Sequence, residues 1–226
     1  MMLIDKLYDE KLNILTSRDY DMSVGKSGYV PASYFFLEQI FTIFPFEEHD
    51  NLVDFGCGKG RVLFMAANKL CKHVTGYEIN EKTYNLLEKN VANYRNKFGE
   101  ETSFNLYKED AQYVKISEAA NKFFFFNPFQ IKGYIKVISN IIASLRAKER
   151  EIIIFLCQPY EAIIDYLNTI DIFKKELYAE NTYKFSNKNM HTISEFAIYT
   201  NYPIKFSYEN LRATAFDLYL TPNWGI

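Results

Sequence analysis

The sequence predicts an α/β fold, a mostly parallel sheet covered by helices on both faces, within a single domain. Three observations carry that prediction. From about Asn51 onward, short apolar runs of strand length alternate with segments of helical periodicity, and such alternation lays strands side by side through crossover helices. The first of those runs passes straight into glycines at alternate positions, and from them into a helix. The chain, at 226 residues, is long enough to bury a substantial core and short for two domains.

Residues 34–44 (YFFLEQIFTIF) read as an apolar helix introduced by Pro31 and Ser33 and ended by Pro45, because proline starts a helix readily and cannot continue one. Residues 1–27 ahead of it read as a helical arm or cap. Strands are predicted at 51–55, 72–78, 103–108, 122–126 and 151–157, each bounded by a polar or turn residue. The clearest helix is 81–98, where Tyr84, Leu87, Val91, Tyr94 and Phe98 recur every three or four residues. Asn80 is its natural N-cap and Gly99 its stop.

Further helices are predicted at 131–147 and 160–167, and two more strands at 172–178 and 195–200, able to pair antiparallel across the loop between them. The four phenylalanines at 123–126 read as a strand buried on both faces, not as an aromatic ligand box. The tail, with Pro203, Pro222 and an FDLYL run, has no assigned place in the sheet and is expected to cover an edge. The expected organisation is thus an arm at 1–27, the main domain at 28–201, and an extension of the same domain at 202–226.

Composition excludes several classes. Apolar residues at 48% and charged residues at 24% are ordinary for a soluble globular protein, whereas the aromatic share of 17% is high without naming a ligand. A net charge of −2 and an isoelectric point near 6.0 give no general attraction to polyphosphate. A nucleic-acid partner then needs a local basic patch, and no basic run is present, so such a partner is not expected. Basic and acidic residues are instead interspersed, as in Lys148-Glu149-Arg150-Glu151, the pattern of a solvated surface.

Cys57, Cys71 and Cys157 form no C-x-x-C pair and are odd in number, which argues against a secreted disulfide framework and for a reducing cytoplasm. His49, His73 and His191 lie at no metal-ligand spacing, so no metal is expected. The opening MMLIDKLYDEKLNIL is too often charged for a secretion signal. Nowhere do about 18 apolar residues run uninterrupted, so neither export nor membrane insertion is expected.

The sharpest chemical signal is the run from Leu52 to Val62 (LVDFGCGKGRV): an apolar strand, the acid Asp54, then Gly56, Gly58 and Gly60. A strand that turns sharply into a helix with its backbone against a ligand has no room for side chains at Gly56 and Gly58. A dinucleotide dehydrogenase spaces its glycines G-x-G-x-x-G around a pyrophosphate. Here the spacing is G-x-G-x-G, and an acid ahead of it repels a pyrophosphate but accepts hydrogen bonds from an amino group. The plainer alternative is a tight turn that binds nothing.

This run resembles motif I of the class I, Rossmann-like S-adenosylmethionine-dependent methyltransferases. The resemblance implies a seven-stranded sheet in the order 3-2-1-4-5-7-6, S-adenosyl-L-methionine as cofactor, S-adenosyl-L-homocysteine as product, and cofactor contacts at Asp54, Phe55, Gly56, Gly58 and Gly60. It also implies that Glu78, with Ile79 beside it, holds the ribose hydroxyls, although Glu78 also suits a plain helix N-terminal charge. Asp110 and Ala111 then meet the adenine, with helix N-capping as the rival role for Asp110.

Asn127-Pro128-Phe129, at the end of the fourth strand, resembles the (D/N)-P-P-(Y/F) motif of the amino-methylating members, without its second proline. The resemblance implies that Asn127 binds the acceptor nitrogen, touches the cofactor as well, and that Phe129 packs on the acceptor; Asn-Pro is also a common turn after a strand. Upstream, Gly28-Tyr29-Val30-Pro31-Ala32-Ser33 is similar to a Y-V-P-[AT]-S segment of seven-strand protein-lysine methyltransferases. That likeness implies that Tyr29 and Pro31 fold over the cofactor as a lid, the alternative being a simple helix start.

The expected reaction is methyl transfer to an amine of a protein lysine or a small molecule. The expected partners are that acceptor alone, with no membrane. Two rivals stand beside it: methylation of a nucleic-acid base, and a nonenzymatic partner that keeps the fold only as a scaffold.

Overall fold

The computed structural model describes residues 3–17, 29–181, 194–204 and 217–220. His191 and most of the tail lie outside the described residues. Along the chain the elements are helices α1 (Leu3–Leu12) and α2 (Tyr34–Ile43), strand β1 (Asn51–Phe55), helix α3 (Arg61–Asn68), strand β2 (His73–Tyr77), helix α4 (Glu81–Phe98) and strand β3 (Ser103–Tyr107). A 3-10 turn follows at Ala111–Tyr113. Then come β4 (Lys122–Phe126), α5 (Ile131–Ala147), β5 (Ile153–Cys157), α6 (Glu161–Asn168), β6 (Lys174–Asn181), β7 (Ser194–Thr200) and β8 (Asp217–Leu220).

The strands form one sheet in the order β3-β2-β1-β4-β5-β7-β6-β8. The first seven positions are the expected order 3-2-1-4-5-7-6, and an eighth strand extends it at the β6 edge. It comes from the FDLYL run of the tail, which joins the sheet by pairing antiparallel with β6, Leu177 opposite Leu220 and Glu180 opposite Asp217. The edge that the tail was expected to cover is therefore closed by a strand, which satisfies the open row of backbone groups on β6.

The chain packs as two compact units, Met1–Val114 and Lys115–Ile226. In the first, β1 pairs β2 and β2 pairs β3, all parallel, which sets Asp54 opposite Gly76 and Phe55 opposite Tyr77. Helix α4 runs over its predicted span: Asn80 Oδ1 accepts the Thr83 N–H at 3.0 Å, and Gly99 ends it at φ 78°. The apolar positions Leu87, Val91 and Tyr94 are buried, and Asn90 is buried among them.

In the second unit β4 and β5 pair parallel, Lys122 opposite Ile153 and Phe126 opposite Cys157. Phe123, Phe124 and Phe125 have no exposed surface, each contributing roughly 1.5–3 kcal/mol of burial. The phenylalanine run is therefore core, as expected. Strands β6 and β7 pair antiparallel across a bulge between Lys175 and Leu177. The Lys148–Glu151 run is not uniformly a solvated face: Arg150 is half-buried and donates through Nε to Ala120 O at 2.6 Å and through NH2 to Ser144 Oγ at 2.9 Å. Among the described residues no helix is long and apolar enough to cross a membrane, and no three His, Cys, Asp or Glu gather as a metal site.

Candidate cofactor and acceptor sites

At the end of β1 the chain bends through three glycines in left-handed conformations, Gly56 at φ 73°, Gly58 at φ 57° and Gly60 at φ 89°. Two successive amides, Gly56 N–H and Cys57 N–H, donate to the Tyr77 carbonyl at 2.9 Å each, so the bend hangs on the end of β2. A Cβ at Gly60 would stand 2.5 Å from Leu87 Cδ1 and 2.8 Å from Phe64 Cε2. One at Gly58 would overlap the Tyr29 ring. This corrects the sequence argument, in which a ligand alone demanded the bare backbone at Gly58: here a protein ring demands it, and Gly56 is the bend residue whose backbone stays exposed.

Asp54 precedes the bend with only 3% of its surface exposed. Burial, and next the negative charge of Glu78, push its carboxyl well above the usual carboxylate range. No hydrogen-bond donor or cation reaches it among the described residues, an arrangement that costs free energy unless a ligand supplies the missing charge. Glu78, just past β2, is tied down: its Oε2 accepts the Gly58 N–H at 3.0 Å and its Oε1 the Asn80 N–H at 2.6 Å. Burial raises its pKa, and those backbone donors oppose the rise. Glu78 thus serves the helix start and the glycine bend at once, with acceptor capacity left on both oxygens.

Tyr29 lies on the bend with its hydroxyl buried and, among the described residues, without a hydrogen-bond partner. Burial above all, with Asp9, Asp54 and Cys57 behind it, holds that hydroxyl protonated, against the pull of Arg61. Pro31 is half-buried beside it in sequence, and Phe55 is buried and stacked on Tyr77 with centroids 5.9 Å apart. Ile79 is 64% exposed, a large apolar side chain left in water directly after Glu78. Asp110 caps the 3-10 turn, its side chain accepting the Gln112 N–H at 3.0 Å, and Ala111 is buried.

Sequence reasoning missed the two basic residues that flank Gly60. Lys59 and Arg61 are 2% and 3% exposed. Lys59 Nζ donates to Ser17 O at 2.8 Å and sits 5.1 Å from the Tyr29 ring centre. Arg61 donates to Thr16 Oγ1 (2.8 Å), Thr16 O (3.1 Å) and Ala32 O (2.9 Å), pairs with Asp5 at 3.3 Å and lies over the Tyr34 ring. Asn90 completes the clamp, exchanging hydrogen bonds with both backbone groups of Leu15 and donating to Lys59 O at 3.0 Å. No local pattern in the sequence signals the burial of Lys59 and Arg61, because the groups that hold them lie far away in the chain.

In the second unit, Asn127 follows β4 in a left-handed conformation (φ 46°), exposed, its Nδ2 donating to Gln158 O at 2.6 Å. Phe129 is half-buried and meets the buried Tyr134 ring edge-on, centroids 5.7 Å apart. Tyr134 in turn meets Phe125 and Tyr160, and Tyr160 Oη donates to Phe129 O at 3.4 Å. Asn127 and Phe129 therefore stand on one aromatic platform at the carboxyl end of β4.

The sequence also matches, over residues 28–187, the family described as Conserved hypothetical protein 95. The chain belongs to that family. No curated protein matches it. Its fold is similar to that of an rRNA methylase from Streptococcus thermophilus, at 13% identity over 76% of this chain and 98% of that one, TM-score 0.52. A Streptococcus mutans protein solved in complex with SAH is similar at 14% identity, 76% and 99% coverage, TM-score 0.54. So is the N-methyltransferase NodS from Bradyrhizobium japonicum, at 10% identity, 74% and 93% coverage, TM-score 0.53. The family member has the Rossmann-like fold of S-adenosylmethionine-dependent methyltransferases, with Asp54, the glycine bend and Glu78 at the carboxyl ends of its first two strands.

Proposed function

We propose that the protein transfers a methyl group from S-adenosylmethionine to an amine nitrogen. The observation that carries this reading is Asp54: a buried carboxyl with no donor among the described residues, raised in pKa, at the head of a bend whose first glycine is exposed. A ligand bearing an ammonium group fits that vacancy of charge, whereas a pyrophosphate does not. The Tyr29 hydroxyl, unpaired among the described residues, offers a further polar group beside the bend, able to accept as well as to donate. The sulfonium of the bound cofactor supplies an electrophilic methyl.

The chain's own residues then divide the work. Asp54 holds the amino group, Gly56 lets the backbone approach, Gly58 makes room for the Tyr29 ring, Glu78 accepts ribose hydroxyls, Ile79 covers the base, Ala111 lies beside it, and Tyr29 and Pro31 exclude water. Asp110 contributes through the turn that it caps. Asn127 accepts an N–H of the acceptor amine through its carboxamide oxygen, and Phe129 faces the acceptor, its ring stabilising positive charge as the nitrogen gains a carbon. Orientation and exclusion of water supply most of the rate.

The amine belongs to a protein lysine or a small molecule in the first reading. A second reading, an amine of an RNA base, is favoured by the likeness to the Streptococcus thermophilus rRNA methylase, and it weighs against the expectation drawn from net charge alone. Tritiated S-adenosylmethionine, offered with ribosomal RNA, with lysate protein and with the low-molecular-weight fraction in parallel, separates the two. Label in RNA selects the second reading; label in either other fraction selects the first; label in none, with no calorimetric binding of the cofactor, removes the activity altogether.

A further inference from the structure

Two neighbouring strands end alike. Strand β4 runs into Asn127-Pro128-Phe129, and β5 into Gln158-Pro159-Tyr160: a carboxamide, a proline and an aromatic ring in each. The register makes them level, since Phe126 and Cys157 are paired and the two carboxamide residues follow directly. Both adopt left-handed backbone conformations, φ 46° at Asn127 and φ 47° at Gln158. Asparagine tolerates that region, but glutamine enters it at a cost.

The strained peptide is pinned at both ends. Gln158 N–H donates to Glu195 O at 2.8 Å, and Gln158 O accepts the Asn127 Nδ2–H at 2.6 Å. Beside it, the buried Tyr134 ring lies edge-on to both Phe129 and Tyr160. A carboxamide rotates by half a turn at little cost unless something distinguishes its oxygen from its nitrogen. At 2.6 Å a carbonyl makes that distinction, because only the nitrogen side can face it.

We propose that Gln158 is a positioning residue: its main-chain carbonyl, aimed by the left-handed bend, fixes the Asn127 carboxamide so that Oδ1 is turned to the acceptor amine. This rests on the reading of Asn127 as the residue that binds the acceptor nitrogen. It carries a consequence that the resemblance alone does not. Aspartate, which the (D/N)-P-P-(Y/F) pattern allows, is the wrong residue here, since an ionised carboxylate would set oxygen against the Gln158 carbonyl.

The test compares N127A, N127D, Q158V and Q158G with the unaltered protein, using tritiated S-adenosylmethionine and whichever of ribosomal RNA, lysate protein or small-molecule fraction that protein labels. Thermal unfolding and calorimetric cofactor affinity are measured for each variant. N127D is expected to lose at least about a hundredfold in kcat at neutral pH with cofactor affinity retained. Its activity relative to the unaltered protein should climb as pH falls and the carboxyl regains a proton to donate, which a merely structural residue would not do. Q158V, whose branched side chain resists φ near +47°, is expected to lose about tenfold, and Q158G, free to make the bend, to rescue it. Near-normal kcat in N127D or Q158V overturns the role of Gln158. Normal kcat in N127A removes the reading of Asn127 itself, whereas an inactive N127A beside an active N127D leaves that reading standing and removes only the present one.

Discussion

The glycine bend after β1 and the Asn-Pro-Phe turn after β4 do opposite things with the same backbone conformation. The bend spends three left-handed residues on glycine, buries Asp54, Lys59 and Arg61 around them, and ties Lys59 and Arg61 to other parts of its unit. The turn places a left-handed asparagine in the open, held by one side-chain hydrogen bond. The first region is built into the packing of the protein, so its chemistry and its stability are coupled. The second is mounted on the surface of a core that does not need it.

That contrast is broken or sharpened most strongly at Arg61. Arg61→Met keeps the volume but leaves Asp5 and the Thr16 and Ala32 carbonyls without their donor, and is expected to destabilise the protein by about 3–5 kcal/mol, lowering Tm by roughly 10 °C. Differential scanning calorimetry measures it. A Tm within about 2 °C of the unaltered protein would mean that the clamp on residues 5–17 is ornamental, and that the bend is no more embedded than the turn.

Next comes Asp54→Asn, expected to weaken S-adenosylmethionine binding at least about a hundredfold, or roughly 2.7 kcal/mol. The pH dependence has a definite sign. Because burial and Glu78 hold the carboxyl protonated above its usual range, affinity for a cationic ligand should rise with pH through that titration and then level off, and Asp54→Asn should flatten the curve. Stability of the free protein runs the other way: the contribution of Asp54 is full on the acid side and is lost as pH rises through the raised pKa. The substitution should therefore stabilise the free protein at neutral pH by about 1–3 kcal/mol. Isothermal calorimetry and thermal unfolding across pH check both. Loss of binding without gain of stability would show that the carboxyl has a structural partner.

Glu78→Gln should act more mildly, lowering cofactor affinity about tenfold, roughly 1.4 kcal/mol, since the amide keeps one acceptor oxygen for the Gly58 or Asn80 N–H but loses the charge.

Much of this was legible in the sequence, and the reasons for the rest are physical. Strands β1 and β4 and helices α4 and α5 follow from local periodicity and caps such as Asn80 and Gly99, and Asp54 stood out because an acid before alternate glycines has few other uses. The Tyr29 ring on Gly58, the burial of Lys59 and Arg61, and the bond from Asn127 to Gln158 join positions roughly 30 to 55 residues apart in the chain, where no local pattern signals a contact. Strand β8 escaped because four residues cannot show a period, and its existence depends on the free edge of β6.

The smallest expected effect isolates the turn from the fold. Asn127→Gly keeps the left-handed backbone at no steric cost and removes the carboxamide. Because Asn127 is exposed and its side chain makes one hydrogen bond, the stability of the protein should stay within about 0.5 kcal/mol. Turnover should nevertheless fall steeply while cofactor affinity holds, so the pair of measurements sets a residue that matters to chemistry apart from one that matters to packing. A stability loss comparable to that of Arg61→Met would make the two regions alike after all: the β4 turn would then be a fastening between β4 and β5, and the acceptor nitrogen would have to be held by other groups.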